Sequence, residues 1–151
     1  MEKDIHLSYP FKQVQRISNP YSLRDRHEGL DFAAVVREHY QEFYGTPTVA
    51  THRGKVVTGY SISGYGVYVY LLSEDYSFAT LYAHLAEIIV KDGEWIEDQQ
   101  PLGLVGCTGN CKPPGTRGTH LHYGFRFLPA PAEHAWPYGY IDPTPYMEML
   151  V

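Results

Sequence analysis

From Thr48 onward the apolar residues fall into short runs rather than helical stripes. The runs at 56–57, 66–72, 80–85, 91–96 and 102–106 combine β-branched, aromatic and leucine side chains. Between them lie Gly54, Gly59, Ser63-Gly64 and Glu74-Asp75, which are turn residues. The stretch 112–118, with two prolines and two glycines, reads as a loop that delivers the chain into an alternating strand at 120–127. Before Thr48 the pattern differs. Residues 12–26 are polar, contain Pro20 and show no helical period, so they read as an extended approach segment. Apolar positions 32, 35, 36, 40 and 43, followed by Gly45, predict a short helix over 32–44. The pattern as a whole predicts an all-β, largely antiparallel fold with one short helical insertion.

Composition agrees and narrows the function classes. Fourteen Tyr, 14 Gly and 11 Pro favour short strands and many turns. The length of 151 residues suits one domain with a full core, and 44% hydrophobic against 19% charged residues excludes a disordered chain. No apolar stretch approaches the roughly 18–20 residues that cross a bilayer, and the polar start Met1-Glu2-Lys3-Asp4-Ile5-His6 lacks the apolar core of a signal peptide. A net charge of −5 with no Lys/Arg run argues against nucleic acid as a partner.

Eight His is a large number for this length, and their placement matters more. His27-Glu28-Gly29-Leu30-Asp31 sets an imidazole and a carboxylate four apart. His120-Leu121-His122 places two imidazoles on one face of a strand, about 6–7 Å apart. That spacing lets one bind a metal while the other reaches an attacking water. Two nitrogens and one carboxylate oxygen with a fourth position open describe a catalytic zinc site. His27-Glu28 is not the start of a His-Glu-x-x-His helix, because the fifth residue is Asp31 and Gly29 disfavours a helix there. Cys107 and Cys111 are close enough for a disulfide across a short turn or for two free loop thiols, and they lack the second Cys pair of a structural zinc site. His6, His39, His52 and His134 have no motif around them and read as surface or helix-insertion residues.

Taken together, these pieces resemble the M23 (lysostaphin/LytM-type) zinc metallopeptidases, which cut peptide bonds in bacterial peptidoglycan. The resemblance runs from about His27 to Tyr146. It covers the 27–32 motif, the 64–69 and 80–85 strand pieces, the Gly103–Gly109 turn pattern, Thr119-His120-Leu121-His122-Tyr123 and Ile141-Asp142-Pro143. It implies a sandwich-like or open-barrel-like β-sheet groove spanning 1–151 as one domain, with residues 1–20 as an extension and 128–151 as a tail packed on it. It further implies Zn2+ held by His27, Asp31 and His122, with His84 and His120 as the catalytic pair. Either histidine could deprotonate the water or stabilise the oxyanion, since zinc lowers the pKa of water toward about 7 and no acidic residue is placed as base. Tyr21 stands where some members hold an oxyanion-donating tyrosine, with a packed aromatic as the competing reading. The implied partner is peptidoglycan peptide, and the implied location is outside the cytoplasm: periplasm, cell wall or medium.

Two departures stand out. The 32–46 segment is longer than the usual connection after the Asp ligand. Gly124 follows His122-Tyr123 where the family often carries Glu, so a carboxylate that would orient a ligand is missing. The alternative to an enzyme is a non-catalytic module of the same fold that grips cell wall or a partner, although such modules usually lack a ligand and the full set is present here. A biotin- or lipoyl-type carrier would need a Lys at a hairpin tip, which the Gly93–Gly106 region lacks.

Overall fold

A computed structural model of the chain describes residues 4–132 and 135–150. Among these residues ten strands form one open, antiparallel sheet: β1 (Arg16–Asn19), β2 (Leu30–Ala33), β3 (Pro47–Val49), β4 (Gly54–Ser61), β5 (Gly66–Ser73), β6 (Phe78–Ile88), β7 (Trp95–Ile96), β8 (Pro101–Val105), β9 (Leu121–Phe127) and β10 (Tyr140–Ile141). The main order is β1-β2-β9-β6-β5-β4-β7; β10 pairs with β9, and β8 bridges β3 to β6. Among the described residues no helix is long and apolar enough to cross a membrane.

The helix is much shorter than the apolar spacing predicts. Phe32 and Ala33 belong to β2, a 3-10 turn occupies Arg37–His39, and α1 covers only Tyr40–Phe43. The pairing of Asp31 with His122 and Phe32 with Leu121 holds this stretch in the sheet. Val35 and Val36 are left exposed, so the apparent stripe is not a buried face.

β6 is the axis of the fold, buried without interruption from Ala79 to Leu85. Side chains alternate across a strand, so Tyr82 enters the main core with Leu30, Phe32, Val69, Leu121 and Tyr123, whereas Leu81 and Ala83 lie on the other face with Tyr140. The N-terminal segment also feeds the main core, through buried Tyr9 and Phe11. Leu7 bridges to Met147 and tethers the tail beside the start of the chain.

His52 departs from its expected place at the surface: it is 7% exposed, with Nδ1 donating to the Arg53 carbonyl and Nε2 2.8 Å from the Thr80 hydroxyl. Burial lowers its pKa from the ordinary 6.5 to about 4. The unfolded chain therefore takes up this proton first. The stabilising contribution is complete above pH 6.5 and is lost as pH falls toward 4, an effect of about 3 kcal/mol. A His52→Asn variant should lose less stability between pH 7 and pH 4 than the parent by about that amount. Urea melts at the two pH values check this, and equal losses would refute it.

Candidate metal centre and cleft

Asp31 and His122 are placed by register. They face each other across the β2–β9 pair, and on the other side His122 is level with Ala83 of β6, a small residue. His27 arrives from the turn before β2, where its backbone pairs with Ser22. The donor atoms of His27, Asp31 and His122 all lie within 4.8 Å of one another. Asp31 Oδ1 is 3.1 Å from His27 Nε2 and 3.1 Å from His122 Nδ1. Tetrahedral zinc with bonds of roughly 2.0–2.2 Å separates its donors by about 3.4 Å, so the set is near the size zinc needs. The chemistry of the donors fits as well. His27 Nδ1 donates to the Pro20 carbonyl, which leaves the Nε2 lone pair facing Asp31. That Nε2 is buried and has no hydrogen-bond partner among the described residues.

Burial pushes the Asp31 carboxyl up, but the hydrogen bond from His122, the close approach of His27 and the field of the neighbouring imidazoles outweigh it and hold it well below the carboxylate range. Burial pulls His27 down, yet Asp31, the Pro20 carbonyl and Glu28 raise it on balance. Packing is tight here. A Cβ added to Gly29 would meet the His122 ring at 2.8 Å and the Tyr123 carbonyl at 2.5 Å, so only glycine lets the His27–Asp31 turn lie against β9.

His84 reaches this centre by an irregularity. Strict alternation would send it into the core on the side of Tyr82. Instead Val67 pairs with Leu85 and Val69 with Tyr82, three steps along β6 against two along β5. The extra residue makes a bulge, and His84 takes a left-handed φ of 65°. Its Nδ1 donates to the Thr108 carbonyl at 2.7 Å, and its ring packs 4.7 Å from that of His120. Burial, with His120 second, lowers its pKa to about 4, so the ring is neutral and its Nε2 is free to accept a proton. His120 bridges to Gly106 and donates from Nδ1 to the Gly118 carbonyl at 2.9 Å. The Cys107–Cys111 pair is bonded, with Cα atoms 5.3 Å apart, and closes the loop beneath these two histidines.

All five residues line a cleft of about 680 Å³. Its walls carry Tyr65, Trp136 and Tyr138, and its rim carries Arg26 and Lys112. The Arg26 guanidinium stacks over Trp136 at 4.4 Å. Tyr21 does not line the cleft, and its hydroxyl donates to the Tyr140 carbonyl at 2.7 Å. His6 and His39 are exposed and do not line the cleft, and His134 lies outside the described residues.

Sequence reasoning missed Glu28, Tyr65 and Trp136. Tyr65 O–H donates to Glu28 Oε1 at 2.8 Å and Trp136 Nε1–H to Oε2 at 3.0 Å. These bonds and His122 outweigh burial, which acts upward, and keep the Glu28 carboxyl below its usual range. The position of Glu28 inside the His27–Asp31 motif was a usable signal. Trp136, more than a hundred residues away in the tail, offered none.

A sheet-borne cleft holding a His–Asp–His donor set beside two more imidazoles is the layout of a metallohydrolase. Similarity to known proteins narrows that class: residues 25–134 match Peptidase family M23, and the chain belongs to that family. It is 31% identical over 127 residues to an uncharacterized metalloprotease of Haemophilus influenzae, covering 78% of this chain and 24% of that protein. It is 32% identical over 124 residues to the peptidoglycan DD-endopeptidase ShyA of Vibrio cholerae, covering 76% and 26%. The fold resembles the catalytic domain of lysostaphin from Staphylococcus simulans with a TM-score of 0.64 and 26% identity, covering 94% of this chain and 91% of that one. The chain thus spans about a quarter of the length of these two curated relatives.

Proposed function

We propose that the protein is a zinc-dependent endopeptidase that cleaves peptide bonds in peptidoglycan cross-links or stem peptides outside the cytoplasm, with residues 1–151 as one peptidase domain. The observation that carries this reading is the convergence of His27, Asp31, His122, His84 and His120 in one cleft. The peptidoglycan endopeptidase named among the relatives supports the substrate class.

His27, Asp31 and His122 hold the ion. Zinc, when bound, polarises a carbonyl and lowers the pKa of water toward about 7. The chain's own groups do the rest. Carbonyl acceptors at Thr108 and Gly118 fix the Nδ1–H tautomers of His84 and His120, so both present Nε2 to the cleft. One takes the proton of the attacking water and returns it to the leaving amine; the other, protonated, donates to the carbonyl oxygen as it gains charge. Tyr21 enters as a framework residue, because its hydroxyl is committed to Tyr140. The aromatic walls exclude water from an extended peptide.

Mass spectrometry of fragments released from purified peptidoglycans of differing cross-link chemistry tests the proposal. New peptide termini that vanish with chelator and return with zinc are expected. Fragments insensitive to chelator, or none from any peptidoglycan, would overturn it.

A further inference from the structure

A histidine that ligates a metal through one ring nitrogen carries a proton on the other, and that N–H normally meets a carboxylate or carbonyl. In His122 it is Nδ1 that faces Asp31, at 3.1 Å. The opposite nitrogen, Nε2, is buried and has no hydrogen-bond partner among the described residues. Two residues further along β9, on the same strand face, the chain has Gly124 and so no side chain to offer. The space there is taken: an added Cβ would meet the Tyr140 ring at 2.9 and 3.0 Å, so a side chain would have to displace that ring. Tyr140, itself buried, comes from β10 in the tail and fills the space.

A carboxylate approaches from another direction. Glu28 Oε1 lies 3.9 Å from His122 Nε2, with side-chain exposures of only 15% and 5%. It is held there by two donors from distant parts of the chain, the Tyr65 hydroxyl and the Trp136 indole N–H. Tyr65 also stacks its ring on that of His122, with centroids 5.4 Å apart and planes 25° apart. One residue therefore grips both the imidazole and the carboxylate. At 3.9 Å the contact is electrostatic rather than a hydrogen bond. Without an ion, Asp31 accepts from Nδ1–H; when an ion takes Nδ1 the remaining proton sits on Nε2, and in a site this dry the fixed negative oxygen of Glu28 favours it there.

We propose that Glu28, clamped by Tyr65 and Trp136, is the positioning residue that sets the tautomer and orientation of His122, so that Nδ1 presents its lone pair to the metal. The tail thereby takes part in the metal centre. Tyr140 closes the position at 124, and Trp136 anchors the carboxylate that works in its place. The inference rests on the peptidase reading and deepens it.

The same geometry calls for a carboxylate rather than an amide at position 28. The Trp136 indole can only donate, so a glutamine side chain there would have to turn its oxygen to Trp136 and its NH2 toward Tyr65 and His122. A donor facing Nε2 selects the opposite tautomer, which puts a proton on Nδ1 and blocks ligation. In the 151-residue chain, Glu28→Gln should weaken Zn2+ binding about 10–100-fold, measured by competition with a chromogenic chelator. The metal-free protein should melt within a few degrees of the parent. The zinc-loaded parent should show the Nε2–H pattern for His122 in 15N NMR, and Glu28→Gln at the same zinc concentration should keep the Nδ1–H pattern. Glu28→Asp, which keeps the charge, should recover part of the affinity. Tyr65→Phe keeps the stacked ring and loses only the O–H; a several-fold loss of zinc affinity is expected there, and it tests the clamp even if Glu28→Gln fails to fold. Unchanged zinc affinity and an unchanged tautomer in foldable variants would overturn this inference alone. A parent protein that binds no zinc would overturn the peptidase reading and this inference with it.

Discussion

Asp31→Asn should strip the protein of zinc and lower peptide hydrolysis about 10³-fold or more. The carboxylate is the only anionic member of the donor set, and its Oδ1 lies 3.1 Å from a nitrogen of each partner histidine. Replacing one oxygen by NH2 removes the negative charge that offsets the ion's, and it can turn a donor toward Nε2 of His27 or Nδ1 of His122, where a lone pair should face the metal. Zinc supplies several kcal/mol of transition-state stabilisation, and each factor of ten in rate takes about 1.36 kcal/mol, which gives the stated loss. Elemental analysis after gel filtration and steady-state hydrolysis of a soluble cross-linked peptide read the two effects. Stoichiometric zinc retained in the variant would show that the ion is held elsewhere.

The second large effect separates chemistry from metal binding. His84→Asn should lower kcat about 10²- to 10⁴-fold, the usual contribution of a general acid or base, while zinc stays bound. His84 is buried, and its φ of 65° lies where a side-chain-bearing residue is costly, on the order of 1–3 kcal/mol. Asn tolerates that conformation better than His, so the melting temperature should hold or rise as activity falls. A variant with parental hydrolysis would remove His84 from the catalytic pair. One that loses zinc would make it a support of the metal site instead. His120→Ala, on a regular backbone, should lose activity to a similar degree without the gain in stability.

The stability cost at His84 has a physical reason. Alternation along β6 serves two cores at once, with Tyr82 on one face and Leu81 and Ala83 on the other. The next residue in sequence belongs on the Tyr82 face, away from the cleft. Only an extra residue in the strand can turn an imidazole at 84 toward His120 without reversing the burial of every residue before it.

Much of this protein was legible residue by residue. The runs at 66–72, 80–85 and 120–127 became β5, β6 and β9 because period-two burial is a local property of the chain. The motif at 27–31 and the His-x-His at 120–122 marked candidate donors, which the fold brings within 4.8 Å of one another, because a donor set depends on residue type and short spacing. Expectation parted from structure wherever a residue's environment is supplied by distant chain. Residues 32 and 33 joined the sheet rather than a helix because Leu121 and His122 offer them a partner strand. His52 was buried because Thr80 and the core around it accept a neutral imidazole. Chemistry and secondary structure were thus written in the order of the residues. The facing of the candidate donors and the contacts around them were decided in three dimensions: by the register of β2 on β9, by the bulge at His84, and by a tail whose Trp136 and Tyr140 return across the sheet. Hydrogen-bond partners and excluded volume belong to neighbours in space, and those neighbours exist only once the chain has closed on itself.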